Sequence, residues 1–95
     1  MPPIAHLGSL CTGHHCFHPR PSIQGSPDAY VNGIPIHRMG DAWAPHTCGD
    51  SVHAGNLAVG SSTVFVNGQP IGRVGDLITC GSYVVTGSPD SFAGG

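Results

Sequence analysis

Lysine and glutamate are absent from the sequence, and only 8% of its 95 residues are charged. Arginine is the only strong cation, and the formal net charge is −2. Proteins bind nucleic acids and anionic lipid surfaces through clusters of Lys and Arg that neutralise phosphate charge. This composition offers no such cluster, so the sequence argues against nucleic acid as a partner and against stable binding to an anionic membrane.

Long apolar runs and helical periodicity are also missing. No long stretch repeats its apolar positions with the period of a helix, and no window approaches the length of a membrane span. Residues 1–4 offer neither the basic region nor the apolar region of a secretory signal. We therefore expect negligible helix and a protein made in the cytoplasm without a signal peptide.

Glycine and proline are abundant, with 15 and 9 residues. The glycines recur in register with β-branched residues, which predicts an ordered, turn-rich all-β fold. A domain of this length buries only about 60–65% of the surface of its unfolded chain. The core is therefore expected to be thin and to need further stabilisation.

The chain contains an internal repeat, because residues 30–41 return as residues 65–76 in the same register. Each copy carries an aromatic residue and a valine, then Asn-Gly, then a short apolar segment. Asn-Gly supplies the two residues with positive φ that a type I′ turn requires. Each copy is thus predicted to be a β-hairpin. Copy A covers about residues 25–41, and copy B covers about residues 60–76.

A third copy, copy C, is divided between the two ends of the chain. Residues 87–95 resemble the opening of copy A, and residues 3–9 resemble its closing part. If the two ends lie together, a single domain of residues 1–95 closes with approximate threefold symmetry. Because lone hairpins with such short strands are marginally stable, packing of the copies against one another is expected to stabilise the fold.

The segments between the copies, residues 9–24, 41–55 and 77–82, are predicted to be irregular loops that meet at one end of the molecule. They hold most of the imidazole and thiol groups: His14, His15, Cys16 and His18, then His46, Cys48 and His53, then Cys80. Such ligands in a closed tetrahedral shell are typical of structural zinc sites. The spacing within each loop matches no zinc finger, so the prediction of a shared site depends on the repeat.

Two recurring polar pairs have a structural interpretation. Arg38 and Arg73 stand three residues ahead of Asp41 and Asp76, which predicts a repeated Arg–Asp pair or arginines bonded to turn carbonyls rather than an active site. Trp43 is interpreted either as a contact anchor on a partner or as part of the core. The core is favoured, because burial of an aromatic ring is the largest single apolar gain open to the chain.

The remaining histidines and cysteines also have structural interpretations. His6 and His37 are expected to be solvated surface residues. Cys11 and Cys16 are expected to be buried small side chains or a disulfide, and four cysteines allow three full pairings.

A set of motifs extends over essentially the whole chain: Cys11-Thr12-Gly13-His14, Cys16-Phe17, Gly33-Ile34-Pro35-Ile36-His37-Arg38, Gly40-Asp41-Ala42-Trp43-Ala44, His53-Ala54-Gly55 and Gly72-Arg73-Val74-Gly75-Asp76. Together they resemble PAAR-repeat proteins, the pointed tips of contractile injection machines. The Pro-Ala-Ala-Arg motif itself appears at residues 35–38 and 70–73, and in degenerate form at residues 3–6. The resemblance implies a small, cone-shaped, pseudo-threefold domain of β-hairpin repeats that a metal stabilises.

The resemblance also implies a zinc ion near the vertex, held by three histidines and one cysteine. Matched position by position, the ligands are His14, His46, His53 and Cys80. His15 and His18 are alternatives to His14, and Cys48 is an alternative to His46. Iron is the alternative metal.

The implied role is a non-enzymatic tip that caps and sharpens the trimeric β-helical spike of a type VI secretion system, a phage tail or an extracellular injection particle. Its partner would be a spike of the valine-glycine repeat type or a phage central spike. We further expect separate effector proteins as partners, transient contact with a target membrane, and export on the secreted spike or particle. The alternative is a small zinc-dependent hydrolase or toxin, which would need an open metal position and a general base. The absence of glutamate disfavours it.

Overall fold

A computed structural model describes residues 1–13, 18–48 and 51–95, without the side chains at positions 46–48, 51 and 53. The molecule is elongated, with principal extents of 38 × 24 × 21 Å. All of its regular elements in the described ranges are strands, which confirms the prediction of an all-β fold. None of the described residues forms a helix long and apolar enough to cross a membrane.

Within the described ranges, six strands form three antiparallel pairs. The strands are β1 (Tyr30–Val31), β2 (Ile34–Pro35), β3 (Ala42–Cys48), β4 (Ser51–Asn56), β5 (Phe65–Val66) and β6 (Gln69–Pro70). Each strand pairs with the next one along the chain, so that the sheets are β1–β2, β3–β4 and β5–β6. The fold is therefore a set of hairpins, and contacts between hairpins have to stabilise it.

The Asn-Gly dipeptides form the turns of the β1–β2 and β5–β6 hairpins. Asn32 and Gly33 have φ angles of 52° and 76°, and Asn67 and Gly68 have φ angles of 54° and 76°. Positive φ at both central residues is the requirement of a type I′ turn, whose twist matches that of the strands it joins. The structure confirms both predicted hairpins.

The two ends of the chain lie against each other. Pro3 bridges Phe92, the Ile4 N–H donates to the Ser91 carbonyl at 3.0 Å, and the Ala93 N–H donates to the Pro2 carbonyl at 3.0 Å. The hydrogen bond equivalent to that of Ile4 closes each of the other copies: the Ile36 N–H donates to the Ala29 carbonyl and the Ile71 N–H donates to the Val64 carbonyl, both at 3.0 Å. Residues 87–93 and 2–4 therefore pair as the two sides of a hairpin do. The limits assigned to the three copies stay predictions from the sequence.

A closed ring of backbone hydrogen bonds joins the three copies. Ala5 donates to the Gly72 carbonyl at 2.8 Å, Gly72 donates to the His37 carbonyl at 2.9 Å, and His37 donates to the Ala5 carbonyl at 3.1 Å. These residues occupy the same position in the three Pro-Ala-Ala-Arg segments. We call them the central ring. Its closure shows how one chain attains approximate threefold symmetry.

The buried apolar residues of the described ranges form two clusters, as expected for a thin core in an elongated molecule. On the hairpin side the buried apolar residues are Val31, Ile36, Ile71 and Ala93. On the other side they are Ala5, Cys11, Trp43, Leu57, Ile78 and Val84. Trp43 is 3% exposed, which confirms its predicted place in the core.

Residues 41–55 differ from the predicted irregular loop, because most of them form the β3–β4 hairpin. Pro45 is a poor strand residue, since proline has no N–H to donate to a ladder. The pairing register shifts between Trp43 and His46, so Pro45 lies within a bulge-like irregularity where it interrupts no regular ladder. The buried Trp43 side chain packs into the core beside this shift and fixes the base of the hairpin.

Candidate metal centre and docking face

The three inter-copy segments contact one another. Thr12 and Tyr83 are joined twice, by Thr12 N–H to the Tyr83 carbonyl at 2.8 Å and by Tyr83 N–H to Thr12 Oγ1 at 3.1 Å. Cys11 also bridges Val84. These contacts fix the first segment beside the third only two residues before His14.

The β3–β4 hairpin carries two of the predicted ligands. His46 and His53 are direct Cα partners in its antiparallel register, and residues that face each other in this way are neighbours across the strand pair. The backbone on the N-terminal side of His46 is held by the first segment, because Arg20 Nε donates to the Pro45 carbonyl at 3.2 Å and Ala44 N–H donates to the Pro21 carbonyl at 3.0 Å.

Cys80 lies in a tight turn that packs against β4. The turn is closed by Gly81 N–H to the Ile78 carbonyl at 2.9 Å. Its contact with β4 is very close, because a Cβ on Gly55 would lie 3.2 Å from the Cys80 nitrogen and 2.9 Å from Thr79 Oγ1. Cys80 is a half-buried free thiol, so a soft ligand is present next to the strand that carries His53.

The backbone therefore pairs positions 46 and 53 across one hairpin and places the turn of Cys80 beside β4, the strand that carries position 53. His14, and with it His15 and Cys16, lies outside the described residues, as do the side chains of His46, Cys48 and His53. Among the side chains that the structure describes, no three His, Cys, Asp or Glu groups are arranged to hold a metal ion. The ligand set His14, His46, His53 and Cys80 stays a prediction.

Cys11 has a structural environment. It is a free thiol, 3% exposed, in the core cluster that contains Trp43. Its Sγ accepts the Arg20 N–H at 3.3 Å. Sequence reasoning left burial and a disulfide open for this residue, and the structure shows the buried thiol.

The repeated Arg–Asp pairs are confirmed as structural features. Arg38 Nε and Nη2 donate to the two carboxylate oxygens of Asp41, both at 2.9 Å, and Arg73 makes the same two contacts with Asp76 at 3.1 Å. The remaining guanidinium nitrogen of each arginine reaches another copy: Arg38 Nη1 donates to Asn67 Oδ1 at 3.0 Å. Each pair thus clamps a turn and ties two copies together.

Turn asparagines add a second set of ties between copies. Asn67 Nδ2 donates to Asp28 Oδ1, and Asn32 Nδ2 donates to Asp90 Oδ1, both at 2.9 Å. The bond from Asn67, followed by the Ser26 hydroxyl, lowers the pKa of Asp28. The bond from Asn32 is likewise the main cause that lowers the pKa of Asp90. Both carboxylates therefore act as charged acceptors at neutral pH.

The hairpin side of the molecule exposes one aromatic ring in each copy. Tyr30, Phe65 and Phe92 occupy equivalent repeat positions and are 57%, 55% and 48% exposed. We call these three rings the docking face. Their exposure at equivalent positions of the three copies makes this face a candidate for contact with another protein.

His37 was expected at the surface, and that prediction was wrong. It is fully buried in the central ring, with Nδ1 2.8 Å from the Gln24 carbonyl oxygen. The sequence did contain a signal of this burial, because the residues at the equivalent positions of the other two copies are Ala5 and Gly72. Small residues at two of three repeat positions indicate a crowded site near the symmetry axis.

The family model described as the PAAR motif matches residues 12–86 of the chain. A search of curated proteins finds no match to the chain.

Proposed function

The chain belongs to the PAAR-motif family, whose members are spike-tip proteins of contractile injection systems, and we propose that it caps and sharpens a trimeric β-helical spike. The expected partner is a spike of the valine-glycine repeat type or a phage central spike. The setting would be a type VI secretion system, a phage tail or a related particle.

The observation that carries this proposal is the closure of one chain into three equivalent units. The central ring of Ala5, His37 and Gly72 relates the copies, and each copy directs one exposed aromatic ring outward from its hairpin. A trimer presents three identical surfaces around an axis, so a monomer matches it only if it offers three similar surfaces around its own axis. The docking face of Tyr30, Phe65 and Phe92 meets that requirement.

A structural zinc ion, with iron as the alternative, would suit the opposite end. Imidazole and thiol donors are the ligands that zinc prefers, and the half-buried Cys80 thiol beside β4 fits such a shell. His14, His46, His53 and Cys80 would hold the ion. Bound there, it would cross-link the three inter-copy segments, and structural zinc in small domains contributes on the order of 10 kcal/mol.

The same arrangement supports a non-enzymatic role over a zinc-dependent hydrolase or toxin. Glutamate is absent from the sequence. The described carboxylates are engaged in structural contacts: Asp41 and Asp76 with arginines, and Asp28 and Asp90 with turn asparagines. None of these four is left to act as a general base at the loop end. Separate effector proteins would then supply any toxic activity, and the tip would contact the target membrane transiently and leave the cell on the secreted spike or particle.

A binding experiment tests the proposal. The purified protein is mixed with a trimeric β-helical spike, and complex formation is measured by size-exclusion chromatography with light scattering. We expect one copy of the chain per spike trimer, and we expect Phe65→Asp to abolish the complex because it introduces a charge into a desolvated contact.

Val52→Asp is the matched control, since Val52 lies on β4 at the other end and is 63% exposed. It should bind as the wild-type protein does. A wild-type protein that binds no spike trimer, or a Phe65→Asp variant that binds as well as Val52→Asp, contradicts the proposal.

A further inference from the structure

The three residues of the central ring differ in their side chains. A Cβ on Gly72 would lie 2.6 Å from Leu57 Cδ2 and 3.0 Å from the His37 carbonyl oxygen, so copy B has no space for a side chain here. Ala5 and His37 are both fully buried. His37 is therefore the one titratable side chain among the three ring residues.

The hydrogen bond of His37 determines its tautomer. The Gln24 carbonyl oxygen, 2.8 Å from Nδ1, only accepts hydrogen bonds, so Nδ1 carries the proton. Nε2 of the neutral ring is then a bare acceptor, and it has no hydrogen-bond partner among the described residues. Protonation would create a buried N–H at Nε2 without an acceptor, which is one of the costlier defects in a protein interior.

The charged and titratable groups around His37 give little compensation. They are His6 from the N-terminal segment and Arg38 and Asp41 from its own copy. Asp41 attracts a positive imidazole, but its two oxygens already accept two guanidinium bonds and the Arg38 N–H. Arg38 and His6 both oppose a second positive charge. Burial is the largest cause that lowers the pKa of His37 below its ordinary value of 6.5.

From β3, the neighbour of His37 is an uncharged ring. The Trp43 and His37 ring centroids are 5.1 Å apart, with an interplanar angle of 76°. Trp43 Nε1 is a donor only, and it is buried with no hydrogen-bond partner among the residues that the structure describes, so it offers no acceptor to a protonated imidazole.

We propose that His37 makes the junction of the three copies sensitive to acid. The neutral imidazole fits the closed central ring, and its protonation weakens the contacts of copy A with the other two copies. The spike tip is thus closed at neutral pH and loosens in acid.

The sign of the effect follows from linkage. The folded state holds the proton of His37 less tightly than the unfolded state, so the unfolded chain is protonated first as the pH falls. The stability that the neutral residue contributes is complete above about pH 6.5 and is lost between that value and the lower pKa of the folded state. Within this window the unfolding equilibrium constant should rise up to about tenfold per pH unit from this residue.

Urea unfolding of the protein of residues 1–95, with zinc in excess, between pH 7.5 and pH 5 tests the proposal. His37→Asn keeps a donor near the position of Nδ1 but binds no proton, and His6→Asn is the comparison at the other nearby histidine. We expect the unfolding constant of the wild type to rise about tenfold more than that of His37→Asn over one pH unit in the window below 6.5. His6→Asn removes only a weaker opposing charge, so its pH dependence should stay closer to that of the wild type than to that of His37→Asn. Acid release of metal from the predicted ligands is common to all three proteins and cancels in the comparison.

An NMR titration of the wild-type imidazole gives a second readout that does not depend on the folding of a variant. A His37 midpoint below 6.5 supports the proposal. A midpoint at or above 6.5 overturns it, because the folded state would then hold the proton at least as tightly as the unfolded state does. Equal pH dependence of the wild type and His37→Asn overturns it as well.

Discussion

Gly72→Ala places one methyl group at the point where the three copies meet. The φ angle of Gly72 lies outside the left-handed region, so the backbone itself accepts alanine. The obstacle is space, because the new Cβ would lie 2.6 Å from Leu57 Cδ2, 3.0 Å from the His37 carbonyl oxygen and 3.4 Å from the Ala5 Cβ.

Neither of the two closest neighbours yields easily. Leu57 is 2% exposed, and its N–H donates to the Asp41 carbonyl at 3.0 Å. The His37 carbonyl accepts the Gly72 N–H within the central ring at 2.9 Å. Overpacking of a close-packed interior lowers the free energy of unfolding by about 1–3 kcal/mol, and the reduced entropy of the unfolded chain raises it by about 0.4–1 kcal/mol. With two tight contacts the overpacking cost should be near its upper end, so we expect a net loss of about 2 kcal/mol in the free energy of unfolding.

Urea unfolding followed by the fluorescence of Trp43, the single tryptophan of the chain, measures this loss. Gly94→Ala is the matched control, since its Cβ would meet only the side chain of Met1, with Sδ at 3.2 Å, and Met1 is 86% exposed and free to move. Leu57→Ala supplies space beside Gly72, so the double variant should lose less than the sum of the two single losses. A loss below about 0.5 kcal/mol for Gly72→Ala, or strict additivity in the double variant, would refute the reasoning.

Two further predictions concern the ion pairs and the metal. Asp41→Ala leaves the Arg38 guanidinium, which is 9% exposed, without its carboxylate, so we expect urea unfolding to show a loss of about 3–5 kcal/mol in the free energy of unfolding. Asp28→Ala removes an exposed carboxylate and should cost far less. An equal loss in the two variants would argue against the importance of burial. Chelation of zinc should lower the midpoint of thermal unfolding strongly. Cys80→Ser should lower the zinc content measured by plasma mass spectrometry, while Cys11→Ser should leave it unchanged. An unaltered midpoint after complete metal removal would contradict a structural metal.

The hairpins and the repeat were predictable because their causes are local. Asn32-Gly33 and Asn67-Gly68 specify their turns through backbone preference alone. The recurrence of Arg and Asp at the same spacing also pointed to a shared structural role, and both pairs are present. The match to the PAAR-motif family over residues 12–86 agrees with the motifs read from the sequence.

Two expectations failed because they depended on long-range contacts. Pro45 is a poor strand residue by itself, yet the buried Trp43 and the register shift beside it stabilise a hairpin around it. His37 looks like an ordinary polar residue in a short motif, and only the ring with Ala5 and Gly72 buries it. For the candidate metal centre, spacing alone could not group the predicted ligands, since the turn of Cys80 lies beside β4, the strand of His53, only through a long-range contact with Gly55.

The sequence by itself determined the repeat, the Asn-Gly turns, the all-strand character of the described residues and the family, because each depends on residues close together in the chain or on the order in which motifs recur. The tertiary structure decided which residues meet at the central ring, which strand the turn of Cys80 packs against and which aromatic rings of the hairpins remain exposed. These features depend on the closure of three copies around one ring, and such closure joins residues that are far apart in the chain.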